Sequence, residues 1–162
     1  MFHTGAAPNQ QAIPATHYFL NDLGVQKFTL LDTHYVYPRT TNKTLEGYLI
    51  SKGIPKEDNF VNYTPVSHAD WSMNVADVMA LGADGKKVGA ISSNNGGANI
   101  GFKELAAAGI STDGIPVVAC SVGEEELSGL DNQTSSAISP RGPTSSPSTR
   151  RKTRRSSTSG TT

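Results

Sequence analysis

The residues best suited to bind a ligand lie in a polar segment that directly follows an apolar run. Tyr35 and Tyr37 stand two positions apart in the segment HYVYPRTTN, shortly after the run KFTLL. In extended backbone, side chains two residues apart point the same way, so these tyrosines would present two aromatic faces with hydroxyl tips. Such a pair suits a small, flat, polar molecule. The alternative is an ordinary pair of core tyrosines, which the spacing taken alone favours.

A second polar segment, SSNNGGANIG, contains Asn95 and Gly97. It lacks the glycine–lysine pattern of nucleotide-binding loops, which argues against a phosphate cradle. Its adjacent glycines instead suit a tight strand-to-helix loop whose backbone can approach a ligand closely. Further along, Ser121 precedes an acidic run that begins at Glu124. Such a run usually starts a solvated helix, and the alternative is that one of its carboxylates accepts N–H groups from a ligand.

Other combinations of reactive side chains do not form a catalytic or metal-binding pattern. His68, Asp70 and the nearby Ser67 and Ser72 could be drawn as a hydrolytic triad, but the sequence has no G-x-S-x-G nucleophile elbow. Asp70 is better explained as the N-cap of a helix. The four histidines lack the spacing of metal ligands. Cys120 lies in the apolar run IPVVAC and is expected to be a buried, inert thiol. We therefore predict a protein without enzymatic activity, metal or cofactor.

Strand-like and helix-like patterns alternate along most of the chain. The predicted strands are residues 27–31, 59–63, 87–92 and 115–120. The predicted helices are residues 11–23, with Pro14 in the first turn, a helix from Thr40 or Thr41 to Gly53, and residues 71–82 and 102–108. This alternation predicts an α/β fold with a parallel sheet and helices on both faces. Ligands of such sheets bind beyond the carboxyl ends of the strands, where the polar segments described above are expected to lie.

The charge distribution separates a core-forming part from a tail. Residues 1–133 hold all 14 acidic residues and 8 basic ones, whereas residues 134–162 hold 6 basic residues and no acid. Ile138 is the tail's one aliphatic residue larger than alanine, and 16 of its 29 residues are serine or threonine. Such a segment cannot bury enough apolar surface to offset its ordering entropy, so we predict a disordered tail from residue 134. Its stretch TRRKTRR resembles nucleic-acid-binding patches but lacks interleaved aromatic residues.

Three longer sequence segments carry more information than the spacing of single residues. TGAAPNQQAIPA, YVYPRTTN and VVACSVGEEEL resemble the urea and short-chain amide solute-binding proteins, a group of the type I periplasmic-binding-protein superfamily. The resemblance covers about residues 2–131. It implies that residues 1–133 are an internal fragment of this family, mostly one lobe of a two-lobed α/β clamp. It also implies a periplasmic or other extracytoplasmic location, a small neutral amide ligand such as urea or acetamide, and an ABC permease as the partner of the full-length protein.

The family binds its ligand between the lobes, and the resemblance implies which residues would do so here. They are Tyr35, Tyr37, Asn95, Gly97, Ser121 and Glu124. One departure matters, because Gly97 stands where the family usually has an acidic residue, and an acceptor for ligand N–H groups is therefore lost. The first-lobe half of the pocket has no counterpart in the chain. We therefore expect impaired ligand binding.

Two other functions remain open at this stage. A cytoplasmic amide-sensing regulator would share the fold and the Y-x-Y-P loop, and the start MFHTGAAPNQQ lacks the basic and apolar regions of a signal peptide. A nucleic-acid-binding protein would use the basic tail, although we expect no nucleic-acid partner.

The abrupt change at the tail also motivates the hypothesis of a frameshift near Asn132 or Gln133. Codons can be chosen for residues 139–160 whose neighbouring frame encodes a peptide similar to the family's continuation. On this hypothesis the basic stretch has no evolved partner. Stop codons in that frame of the natural nucleotide sequence across residues 131–141 would contradict it.

Overall fold

The computed structural model describes residues 7–66, 68, 70–93, 98–108, 110, 114–121 and 138–139. The helices are α1 (Ala12–Asn21), α2 (Val36–Ser51), α3 (Ser72–Leu81) and α4 (Ala98–Ala107). The strands are β1 (Lys27–Thr33), β2 (Asn59–Thr64), β3 (Val88–Ser92), β4 (Val117–Ala119) and β5 (Ile138–Ser139), and a short 3-10 turn (Lys56–Asp58) precedes β2.

The strands form one sheet in the order β2-β1-β3-β4-β5, and every pairing is parallel. Leu30 of β1 lies between Val61 of β2 and Ile91 of β3, and Ile91 in turn pairs with Val118 of β4. Because parallel neighbours need crossover connections, helices follow β1, β2 and β3. The predicted parallel α/β sheet is confirmed. The two residues of β5 lie in the segment that the sequence assigns to the tail, and the rest of that segment is outside the described residues.

Alternation along the buried strands sends side chains to two separate cores, one on each face of the sheet. Leu30, Ile91 and Val118 pack on the face that α1 and α2 cover. The residues that those helices contribute to the same cluster are Ala12, Ala15, Phe19, Leu45 and Leu49. Leu31, Ala90, Val117 and Ala119 pack on the other face, where α3 and α4 contribute Val78 and Leu105 and the residue before α3 contributes Trp71. The expectation of helices on both faces therefore holds.

Helix α2 begins earlier than the sequence predicts. Tyr35 occupies the N-cap position in extended conformation, with φ −139° and ψ 163°, and the helix starts at Val36 rather than after Thr40 or Thr41. Pro38 is compatible with this start because a proline in the first helical turn forfeits no intrahelical hydrogen bond. The Thr40 hydroxyl donates to the Val36 carbonyl at 3.0 Å, so it lies inside the helix and does not cap it.

The start of α3 differs by one residue from the expectation. The N-cap position is Trp71, and not Asp70. The Asp70 carboxylate nevertheless accepts hydrogen bonds from the Ser72 N–H at 3.0 Å and from the Ser72 hydroxyl at 2.5 Å. Asp70 thus satisfies the Ser72 N–H in the first turn of α3, as a capping side chain would. It does so from the position that precedes the N-cap residue Trp71.

An ion-pair network holds the amino edge of the sheet, which is the side where the strands begin. Lys27, at the start of β1, lies 2.8 Å from Asp84 and 3.7 Å from Asp58, and it donates to the Leu81 carbonyl at 2.9 Å. Lys86 lies 2.9 Å from the other oxygen of Asp58. These contacts join the beginnings of β1, β2 and β3. Charge pairs therefore fix the beginnings of these strands in addition to the apolar cores.

Close packing over the middle of β3 gives a prediction for stability. A methyl group added at Gly89 would lie 2.7 Å from the Phe19 ring and 3.0 Å from a Val25 methyl group, both in a buried core. Gly89→Ala should therefore lower the free energy of unfolding by about 1–3 kcal/mol, measured by guanidinium denaturation. Gly47→Ala is the matched control, because its added methyl group in α2 meets nothing within 4 Å. This control should raise stability by about 0.5–1 kcal/mol. Equal stability of the two variants would contradict the packing described.

Candidate ligand site at the carboxyl edge of the sheet

A buried carboxylate joins the carboxyl ends of β1 and β3. Asp32, the second-last residue of β1, is only 1% exposed. Its two oxygens accept hydrogen bonds from the Ser93 N–H at 2.7 Å and from the Ser93 hydroxyl at 3.1 Å. A buried carboxylate is tolerated when such donors surround it, and hydrogen bonds to an ionised acceptor are among the stronger ones in proteins. The first residue after β3 is therefore fixed against β1.

The loop after β4 is attached to the same point. The Ser121 hydroxyl donates to the Ser93 carbonyl at 2.6 Å, and the Cys120 N–H donates to the Ser92 carbonyl at 2.8 Å. Asp32, Ser93 and Ser121 thus form a chain of hydrogen bonds across the ends of three neighbouring strands. From β1 the chain passes first to β2 on one side and later to β3 on the other, so the β1/β3 boundary is a topological switch point. Crevices at such points are where open α/β sheets bind ligands.

Among the predicted site residues, the structure places Tyr35 and Ser121 at this edge. Tyr35 is 58% exposed, and its N–H donates to the Thr33 carbonyl at 2.8 Å. Tyr37 is half-buried in the first turn of α2. Helix residues two positions apart do not face the same direction, so the expected extended pair of parallel tyrosines is wrong, and Tyr35 alone extends from the N-cap. Asn95, Gly97 and Glu124 lie outside the described residues.

An arginine that sequence reasoning passed over lies at the same edge. The Arg39 guanidinium contacts Nε2 of His34, and its central carbon lies 5.2 Å from the centre of the Tyr63 ring. His34 meets the Tyr63 ring edge-on, with 6.3 Å between the ring centres and 79° between the planes. Sequence reasoning also missed that Asp32 holds the end of β3 through its hydrogen bonds with Ser93. A usable signal was present, because Asp32 is a single acid that directly follows the buried run KFTLL.

The residues that could be drawn as a hydrolytic triad have other contacts. Asp70 accepts hydrogen bonds from the Ser72 hydroxyl and N–H at the start of α3, and these bonds hold the pKa of Asp70 below its ordinary value. The His68 carbonyl accepts from the Trp71 indole N–H at 3.3 Å. Ser67 lies outside the described residues. Within the part of the chain that the structure describes, no group of three or more His, Cys, Asp or Glu side chains could hold a metal ion.

This architecture defines a class: a doubly wound α/β domain, whose candidate ligand site lies at the carboxyl ends of the strands. Its sequence matches the family of the periplasmic binding protein domain over residues 1–138, and the chain belongs to that family. The superfamily to which the sequence strings pointed is thereby confirmed. No curated protein sequence matches the chain.

A solved structure supports the fold independently. An amino acid ABC transporter substrate-binding protein from Pseudomonas fluorescens Pf-5 superposes with a TM-score of 0.61 at 11% sequence identity, over 78% of this chain. At that identity the likeness concerns the fold alone. This chain covers 32% of the length of that protein. Among the described residues, no helix has the length and apolar character needed to cross a bilayer.

The thiol next to this network gives a prediction for reactivity. Burial, followed by the nearby Asp32 carboxylate, raises the pKa of Cys120 from 9.0 to about 11. Only the thiolate attacks disulfide reagents, and a pKa raised by this much lowers the thiolate population at pH 8 by about a hundredfold, which slows the reaction. The folded chain should show this slowing relative to the unfolded chain in a thiol–disulfide exchange assay.

An aspartate variant and a control variant test the contribution of the Asp32 charge to the raised pKa of Cys120. Asp32→Asn removes the neighbouring negative charge, so it should speed the reaction of Cys120 modestly. Asp58→Asn acts at the opposite edge and should leave the rate unchanged. Equal rates for the folded and unfolded chains would show that Cys120 is not in the environment described here.

Proposed function

We propose that the chain is part of a solute-binding protein that captures urea or a short-chain amide and delivers it to an ABC permease. Membership in the periplasmic binding protein domain family supports solute capture. The likeness to a substrate-binding protein of an ABC transporter agrees with it at the level of fold. The narrower ligand class rests on the strings YVYPRTTN and VVACSVGEEEL, which resemble the amide-binding group. Capture of this kind belongs outside the cytoplasm, and it needs no catalytic group.

The observation that carries the proposal is the hydrogen-bonded chain from Asp32 through Ser93 to Ser121. It joins the carboxyl ends of β1 and β3 to Ser121, which follows β4. Groups that are already held in place avoid the entropy cost of ordering them on binding, which helps a small ligand to bind with useful affinity. The exposed Tyr35 stands at the same edge and offers an aromatic face and a hydroxyl group.

The chemistry of urea defines what the pocket must supply. Urea has one carbonyl acceptor and four N–H donors, so its binding surface needs several acceptors and at least one donor. The tyrosine hydroxyl of Tyr35 can do either, and the hydroxyl oxygen of Ser121 can accept while its proton is given to the Ser93 carbonyl. Gly97 supplies no side-chain acceptor. We therefore propose a weakened amide site with Tyr35 as its main recognition residue.

Titration of the isotopically labelled chain with urea and acetamide tests the proposal. We expect saturable chemical-shift changes at Tyr35 and Ser121 with affinity no better than millimolar, because one lobe leaves the ligand open to water. Tyr35→Ala should abolish the changes. Tyr37→Ala should weaken them less, since Tyr37 is half-buried in the helix.

Tyr18→Ala is the matched control, because Tyr18 is a 37% exposed tyrosine on α1, away from the carboxyl edge. It should leave the shifts unchanged. Gly97→Asp should strengthen binding by restoring an acceptor. The proposal fails if neither amide shifts the Tyr35 signals, or if Tyr18→Ala is as damaging as Tyr35→Ala.

A further inference from the structure

Arg39 contacts two aromatic side chains and has no carboxylate partner among the described residues. It is the one arginine in residues 1–133, and its guanidinium lies over the Tyr63 ring beside His34. Among the described residues, the ion pairs of acidic side chains involve Lys27 and Lys86, and none involves Arg39. In these described contacts the guanidinium uses few of its donors, since it has five N–H groups and His34 accepts from one nitrogen.

The contact with His34 also fixes how the guanidinium is presented. A guanidinium can only donate, so Nε2 of His34 is the acceptor of this contact. The Tyr63 ring restrains the plane of the guanidinium through a cation–π contact. Arg39 remains exposed to solvent. A planar fork held from two sides, with its other N–H groups open, has the geometry that binds a carboxylate through two parallel hydrogen bonds.

Arg39 lies one helical turn after Tyr35. Its backbone N–H donates to the Tyr35 carbonyl at 3.2 Å, the contact expected between residues four apart at the start of a helix. This bond holds the backbones of Tyr35, the extended N-cap residue, and Arg39 together at the first turn of α2. A short molecule could therefore reach both side chains at the carboxyl edge of the sheet.

We propose that Arg39 is a carboxylate subsite, so that the ligands include short amides that also carry a carboxylate. Tyr35 and Ser121 contact the amide end, and the Arg39 fork binds the carboxylate end. This inference rests on the proposed function, since it places the amide end at the same residues. It adds a class of ligand that neutral urea and acetamide do not represent.

Two probes that differ in one group test the proposal on the full chain. Succinamate carries an amide and a carboxylate, whereas succinamide carries two amides and no charge. At matched ionic strength, succinamate should produce a saturable shift of the Arg39 Nε–H signal and bind about tenfold more tightly than succinamide. Arg39→Gln should remove this difference, and Arg39→Lys should restore only part of it because the ammonium lacks the planar fork.

Lys52→Gln is the matched control. Lys52 immediately follows the far end of α2, where its ammonium lies 5.5 Å from the centre of the Tyr48 ring, so the variant removes the same charge and a similar cation–π contact. It should preserve the preference for succinamate. An equal loss of preference in Lys52→Gln and Arg39→Gln would reduce the effect to overall charge and overturn the proposal.

The two proposals fail separately in this experiment. If succinamide shifts the Tyr35 signals and succinamate does so no more strongly, the amide site stands and the carboxylate subsite is wrong. If succinamate shifts Arg39 while urea, acetamide and succinamide leave Tyr35 unchanged, the carboxylate subsite stands and amide recognition is wrong. If no probe shifts either residue, both proposals are wrong.

Discussion

The carboxyl edge of the sheet depends on the buried carboxylate of Asp32. A charge with 1% exposure is stable only when donors surround it, and Ser93 supplies both its N–H and its hydroxyl. Loss of the Asp32 carboxylate would leave buried donors of Ser93 unsatisfied, at a cost of about 1–3 kcal/mol for such a group. The end of β3 must therefore stay against the end of β1. Ser121 extends the same constraint to β4 through its bond to the Ser93 carbonyl.

The two edges of the sheet are built from different interactions. Charge pairs among Lys27, Asp58, Asp84 and Lys86 hold the amino edge, and the Lys27 hydrogen bond holds the pKa of Asp84 below its ordinary value. At the carboxyl edge, Asp32 is used within the fold, whereas the guanidinium of Arg39 and the ring of Tyr35 remain exposed. Groups at the amino edge thus satisfy one another, while the carboxyl edge keeps polar groups available for a ligand.

Much of the fold could be predicted from the sequence because its elements follow strong local patterns. Apolar runs such as KFTLL could be predicted as buried strands, and their alternation with helical segments indicated the parallel sheet. The start of α2 could not, because Tyr35 has no capping side chain and the preference of Thr40 for N-cap positions pointed elsewhere. The candidate site was predicted only in part. Tyr35 and Ser121 lie at the expected edge, but the contact between Asp32 and Ser93 joins residues 61 positions apart. Neither local propensity nor spacing reports such a contact.

Amide hydrogen exchange at Ser93 tests the dependence on Asp32 most directly. The Ser93 N–H should be protected in the chain, and Asp32→Ala should speed its exchange at least about tenfold relative to the Ile91 amide in the middle of β3. Asp58→Ala removes the buried acid of the opposite edge and should leave the ratio of the Ser93 and Ile91 exchange rates unchanged. An unchanged ratio in Asp32→Ala, or an equal change in both variants, would contradict the claim that the Asp32 carboxylate fixes the ligand edge.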